Sequence, residues 1–153
     1  MRTRIAPLKF PSVLVFGVLC AGAQAQGPKW ELVNTREADD AGGNEYFVNT
    51  ANLRFTETPI TANVLIQHPH VQTLLESGYE YRSSIRLSVF DCVQRRFTLR
   101  AITAYSGDRG TGDVLRTVDT GIGEDLTWTD VTPRSVDEAI LKFVCSRAPK
   151  QAQ

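Results

Sequence analysis

The sequence predicts an α+β domain in which strands come first and one helix near the C-terminus lies on the sheet. Three observations predict it. Apolar and polar residues alternate through the middle of the chain, most regularly in "YRSSIRLSVFDCVQRRFTLRAITAY". One stretch, "PRSVDEAILKFVC", has helical spacing instead. Two cysteines, Cys92 in the hairpin and Cys145 at the end of the helical stretch, can join the two elements.

The N-terminus is set apart from this domain. Arg2, Arg4 and Lys9 make a basic start, residues 10–20 an apolar run, and Ala23-Gln24-Ala25 a small-residue cleavage signal. Residues 1–25 therefore read as a secretory signal peptide and 26–153 as the domain. The apolar run is shorter than the roughly 20 residues of a spanning helix, and Pro11 and Gly17 interrupt it, so no stable membrane insertion is expected after cleavage. Cys20 follows Leu19, where a lipid-attachment signal has a small residue, which argues against a lipid anchor. Removing 25 of 153 residues leaves 128, enough for one domain with a real core. Losing three of 17 basic residues leaves 14 against 17 acidic ones, a balance with no electrostatic footprint for nucleic acid. The expected location is exported, in the periplasm or at the cell surface.

Cys20 leaves with the signal peptide, so only Cys92 and Cys145 remain. In an oxidising compartment two cysteines most economically form one disulfide. No histidine flanks either one to activate a reactive thiol. Closing a loop of about 54 residues would contribute about 4 kcal/mol in the chain-entropy model.

Taken in order, Trp30, Leu32 and Val33 suit a short strand, and "READDAGGNE" is a polar loop turning at Gly42-Gly43. "YFVN" is strand-like, residues 49–52 break it, and "ITANVLIQ" places Ala62, Val64 and Ile66 at alternate positions. "HPHVQTLLESG" has helical spacing at Val71, Leu74 and Leu75, but Pro69 and Gly78 limit it to one short turn. In the central hairpin a turn at Gln94-Arg95 would set Cys92 opposite Phe97, Phe90 opposite Leu99 and Ser88 opposite Ala101. One face then carries Phe90, Cys92, Phe97 and Leu99, and the other Leu87, Val89, Arg100 and Ile102. A loop or a second copy of the chain would cover that second face, so a homodimer is one expectation. In the helix, Ser135 and Glu138 have capping-box spacing, and Val136, Ile140, Phe143 and Val144 form one stripe. This stripe and the Cys92 face can be buried together only if the helix lies on the sheet.

The groups that could carry chemistry are few. Gly107-x-x-x-x-Gly112 has the spacing of a phosphate-cradling loop, but Asp113 and Val114 stand where Lys and a hydroxyl residue belong. The following "DVLRTVD" alternates like a strand, so the loop reads as a connection between strands. His68 and His70 could bind a metal only with a third ligand, and the nearest carboxylate in sequence is Glu76. No G-x-S-x-G elbow is present. Asp39-Asp40 and Glu124-Asp125 read as solvated loop charge. Arg82, Arg86, Arg95, Arg96 and Arg100 either form a patch for an acidic partner or guard strand edges. No catalytic, cofactor-binding or metal residue is assigned, and no cofactor is expected.

"YRSSIRLSVFDCVQRRFTLRAITAYSGDRGTG", followed by Trp128, Pro133, "SVDEAI" and a final "VC", resembles the surface-adhesin protein E family of small exported bacterial proteins. The resemblance implies a single antiparallel β-sheet with a C-terminal α-helix packed on one face and tied to it by a disulfide between Cys92 and Cys145. It also implies a non-enzymatic binding protein, an adhesin for host extracellular-matrix or serum proteins. The namesake is lipid-anchored and this sequence lacks a convincing lipid-attachment cysteine, so an alternative is a periplasmic structural or stress-related protein with a partner in the envelope. A hydrolase or metal-dependent enzyme ranks last.

Overall fold

A computed structural model describes residues 27–55, 59–120 and 127–148. The signal-peptide reading of residues 1–25, Cys20, and the pair Glu124 and Asp125 lie outside the described residues. Six strands, β1 (Trp30–Leu32), β2 (Glu45–Asn49), β3 (Ile60–Thr73), β4 (Glu80–Asp91), β5 (Arg96–Tyr105) and β6 (Val114–Asp119), pair antiparallel in chain order. A short β7 (Thr129–Asp130) pairs with the start of β5, and α1 (Val136–Cys145) follows. The fold is thus a single antiparallel sheet with one C-terminal helix, as the sequence predicts.

The alternation in β3 explains the two-sided burial. Ile60, Ala62, Val64 and Ile66 face the helix, and their cross-strand neighbours Tyr46, Val48 and Phe90 extend the same surface. Val136, Ile140, Leu141 and Val144 of α1 complete that core. Each such side chain contributes about 1.5–3 kcal/mol on burial. A ten-residue helix is marginal by itself, so docking rather than intrinsic propensity holds it. The N-terminal end of α1 is capped by two side chains. Ser135 Oγ accepts from Glu138 N–H at 3.1 Å, and Asp40 Oδ1 accepts from Val136 N–H at 2.7 Å. Glu138 reaches back one residue further than a capping box requires, to the Arg134 amide at 2.9 Å. At the other end the Cys92–Cys145 disulfide, with Cα atoms 5.8 Å apart, joins the β4–β5 turn to the last residue of the helix.

Several sequence expectations change in register. The β4–β5 turn spans four residues rather than two, because Asp91 pairs with Arg96. The Asp91 carboxylate accepts from the amides of Val93 and Gln94 at 3.1 and 2.9 Å, and Arg95 adopts φ +54°. Phe90 therefore opposes Phe97, and Ser88 opposes Leu99. A shift of two residues leaves both on their expected face. A second break, between Leu87 and Ser88, then sets Ala101 opposite Leu87 and Ile102 opposite Arg86, whose guanidinium points to Asp137 of the helix. Ile102 is thus on the helix side, not with Leu87 and Val89.

The "HPHVQTLLESG" stretch continues β3 as far as Thr73, with the register broken between Gln67 and Gln72 around Pro69, which has no N–H to offer the ladder. The short turn comes after it, where Gly78 donates to Leu74 O at 2.8 Å with φ +71°. Leu32 is exposed and Val33 is the buried residue of that segment, while Leu141 joins the helix core beside the expected stripe.

Candidate functional site

The glycine-rich loop lies on the face of the sheet away from the helix. Ser83, fully buried on β4, anchors it: its hydroxyl donates to Gly107 O at 2.6 Å and accepts from Gly110 N–H at 2.8 Å. Gln67 accepts from Arg109 N–H at 2.7 Å and donates to the Asp108 carboxylate at 2.9 Å. Gly107 and Thr111 amides bond within the loop, and Asp113 N–H goes to Ser106 Oγ. Four amides of the would-be phosphate cradle, those of Gly107, Arg109, Gly110 and Thr111, are therefore turned inward and spent on the fold. Gly110 has φ +72°, and a Cβ there would stand 2.9 Å from Ile85 Cδ1, so the loop backbone rests directly on the sheet. Arg109 covers the Phe47 ring at 4.9 Å. This loop covers Phe47, Leu65 and Ile85, so part of the face expected to need a loop or a second copy is closed by the chain itself. Ser83→Ala is expected to leave Gly107 O and Gly110 N–H without partners, lowering stability by about 1–3 kcal/mol in a urea unfolding midpoint.

The arginines of the central hairpin are mostly engaged in ion pairs. Arg82 meets Asp108, Arg86 meets Asp137, Arg95 meets Glu138 at 2.6 Å and Arg96 meets Asp91 at 3.2 Å, while Arg100 also has a partner. Arg96 also lies over the Trp128 ring at 4.6 Å. Three of these pairs tie the helix or the turn beneath it, so the cluster serves the fold more than a patch for an acidic partner. Asp39 and Asp40 are exposed, as expected of loop charge, and in addition bind Arg134 and the helix amino end. Burial raises the Asp137 carboxyl above its ordinary value and Arg86 only partly offsets this, whereas the Arg134 amide and Arg95 hold Glu138 low.

His68 and His70 do not converge. His70 is exposed, while His68 Nδ1 lies 3.0 Å from Asn44 Oδ1 and its ring meets Tyr81 edge-on at 5.3 Å. Among the described residues no three His, Cys, Asp or Glu side chains are grouped to hold a metal ion. Burial lowers the His68 pKa below 6.5, and its Nε2 has no hydrogen-bond partner among the described residues. Glu31 is held at about 2, first by Arg147 and then by Lys29. Both shifts have the same sign for stability. The unfolded chain takes up protons first as pH falls, below 6.5 at His68 and below 4.5 at Glu31, so acid destabilises the fold. Urea midpoints are expected to drop on going from about pH 7.5 to about pH 5.5, and His68→Gln to flatten that drop.

Among the described residues an open concavity lies on the helix side of the sheet, beyond the reach of α1, which packs over β2 and β3. It has a volume of about 400 Å³ and is lined by Leu74, Leu75, Tyr81, Ile102, Ala104 and Val118, with Arg116 and Glu76 ion-paired at its rim. Leu75 and Val118 are exposed. This groove is not legible in the sequence because it depends on the register break that moves Ile102 to this side. A mostly apolar floor with one ion pair at the edge suits binding an apolar side chain or segment.

No helix among the described residues is long and apolar enough to cross a membrane. No curated protein matches the chain. Solved structures of Haemophilus influenzae protein E share its fold. The selenomethionine form is 12% identical with a TM-score of 0.55, covering 82% of this chain and 97% of that one. Protein E from the non-typeable organism is 10% identical with a TM-score of 0.53, covering 78% and 82%. A further protein E structure is 10% identical with a TM-score of 0.53, covering 79% and 91%. At these identities the likeness shows the fold alone. The sequence itself carries the relationship further: the family model for surface-adhesin protein E matches residues 30–146, from the first strand to just past the disulfide, and the chain belongs to that family.

Proposed function

We propose that this chain is an exported, non-enzymatic protein-binding module that acts at the cell surface as an adhesin for host extracellular-matrix or serum proteins. The family match over residues 30–146 is the observation that carries the reading. It is supported by the structural use of the groups that might have done chemistry: the glycine-loop amides serve Ser83 and Gln67, and His68 is held by Asn44. Residues 1–25 supply the export signal in this reading. Immobilised protein is expected to retain at least one matrix or serum protein from a defined panel. Retention of none would overturn the adhesin reading. External protease on intact cells should degrade a surface adhesin. Protection until the outer layer is opened would instead favour a partner inside the envelope.

A further inference from the structure

We propose that the outer edge of β6 is a strand-docking site for an extended peptide carrying an aliphatic and an acidic residue two positions apart. The inference rests on the protein-binding reading above and states where on this chain a partner would sit.

The backbone of β6 is the first ground. No described strand pairs with its outer edge. Thr120 N–H donates to Arg100 O at 2.9 Å, so that pair is hydrogen-bonded. Bonded and non-bonded pairs alternate in an antiparallel ladder, which makes Ile102 with Val118 bonded and Thr103 with Thr117 non-bonded. The Thr103 and Thr117 hydroxyls, 3.1 Å apart, agree with this, because side chains stand closer in non-bonded pairs. Thr117 therefore turns its N–H and C=O away from β5, toward the unpaired edge. Edge strands are commonly guarded by Lys, Pro or a bulge. "VLRTVD" contains neither Lys nor Pro; its charges are Arg116 and Asp119, and its one register break with β5 falls at Leu115, which leaves the stretch from Arg116 to Asp119 regular.

The side chains are the second ground, and they specify the ligand. Arg116 opposes Ala104 and Val118 opposes Ile102, so both face the helix side, at the rim of the apolar groove. In a strand added to β6, a residue opposite Val118 would lengthen the apolar row made by Ile102 and Val118. The residue two positions along would stand beside Arg116. Its guanidinium has five N–H donors and makes an ion pair with Glu76, leaving donors for a second carboxylate. A second copy of this chain fits less well. Antiparallel β6-to-β6 pairing centred on Thr117 would set Arg116 against the copy's valine, and pairing centred on Val118 would set it against the copy's Thr120, so neither register gives Arg116 a carboxylate.

Panning a display library of peptides of about ten residues, long enough to span such a strand, on the purified protein tests the inference. Enriched peptides are expected to carry the aliphatic and acidic pair, and a bound one to slow hydrogen exchange at the Thr117 amide. Thr117→Pro removes the outward N–H without breaking a backbone bond to β5, losing there only the hydroxyl contact with Thr103, and should weaken such a peptide about tenfold or more. Val118→Glu should weaken it comparably by placing a carboxylate opposite the aliphatic residue, and, at a side chain 38% exposed, it should keep the wild-type urea midpoint within error and so control for the fold. Peptide binding undiminished in both variants would overturn the inference. So would Thr117 protection that appears without peptide and rises with protein concentration, since a second copy would then hold the edge. If no peptide is enriched but the immobilised protein still retains a matrix protein, the edge inference fails and the binding reading stands.

Discussion

Replacing both Cys92 and Cys145 with serine is expected to lower stability by about 2–5 kcal/mol, a large part of the net stability of a domain this size. The bond closes a loop with a sequence separation of 53, so its loss frees much of the unfolded chain. It also removes the covalent tie at the C-terminal end of α1, leaving that end to the ion pair of Arg147 with Glu31 and to apolar packing. Guanidinium or urea unfolding, with and without reductant, checks this. The reduced wild type should match the double variant, and an unchanged midpoint in both would show that packing alone holds the helix.

Phe90→Ala is expected to cost about 3–5 kcal/mol. The ring is 2% exposed, opposes Ile60 on β3, and lies 6.2 Å from the Phe97 ring in a stacked arrangement. Its removal leaves a cavity where helix, β3 and β5 meet, and the sheet backbone beneath cannot collapse into it. Leu75→Ala, at a side chain 98% exposed, should leave the midpoint unchanged and so serves as the control. Because Cys92 borders the same cluster, the Phe90 and disulfide losses are not expected to add.

Much of this was legible along the chain because it is local. The alternation of Ala62, Val64 and Ile66 marks one face of β3 whatever else the chain does, and "SVDEAILKFVC" contains both its cap and its stripe. Asp113 and Val114, standing where a lysine and a hydroxyl residue belong, are sufficient by themselves to argue against a phosphate loop. Other features were not local. That the exposed Asp40 also caps α1 depends on a residue 96 positions away, and the pairing of Arg134 with Asp39 spans 95. The helical spacing of Val71, Leu74 and Leu75 lost to the extension of β3 alongside β4, a tertiary pairing that overrides weak local preference.

By itself, then, the sequence determined the order of strands and helix, the cysteine pair and the family, because periodicity, capping and spacing are read from neighbours a few residues apart. Only the tertiary structure decided the faces of β5, since a one-residue break near Leu87 reverses every side chain beyond it. That reversal brings Ile102 beside Val118 and opens the groove next to the edge of β6. It also took the assembled sheet to bring Ser83 and Gln67 beneath residues 107–112, where the apparent phosphate cradle becomes a cover for the second face.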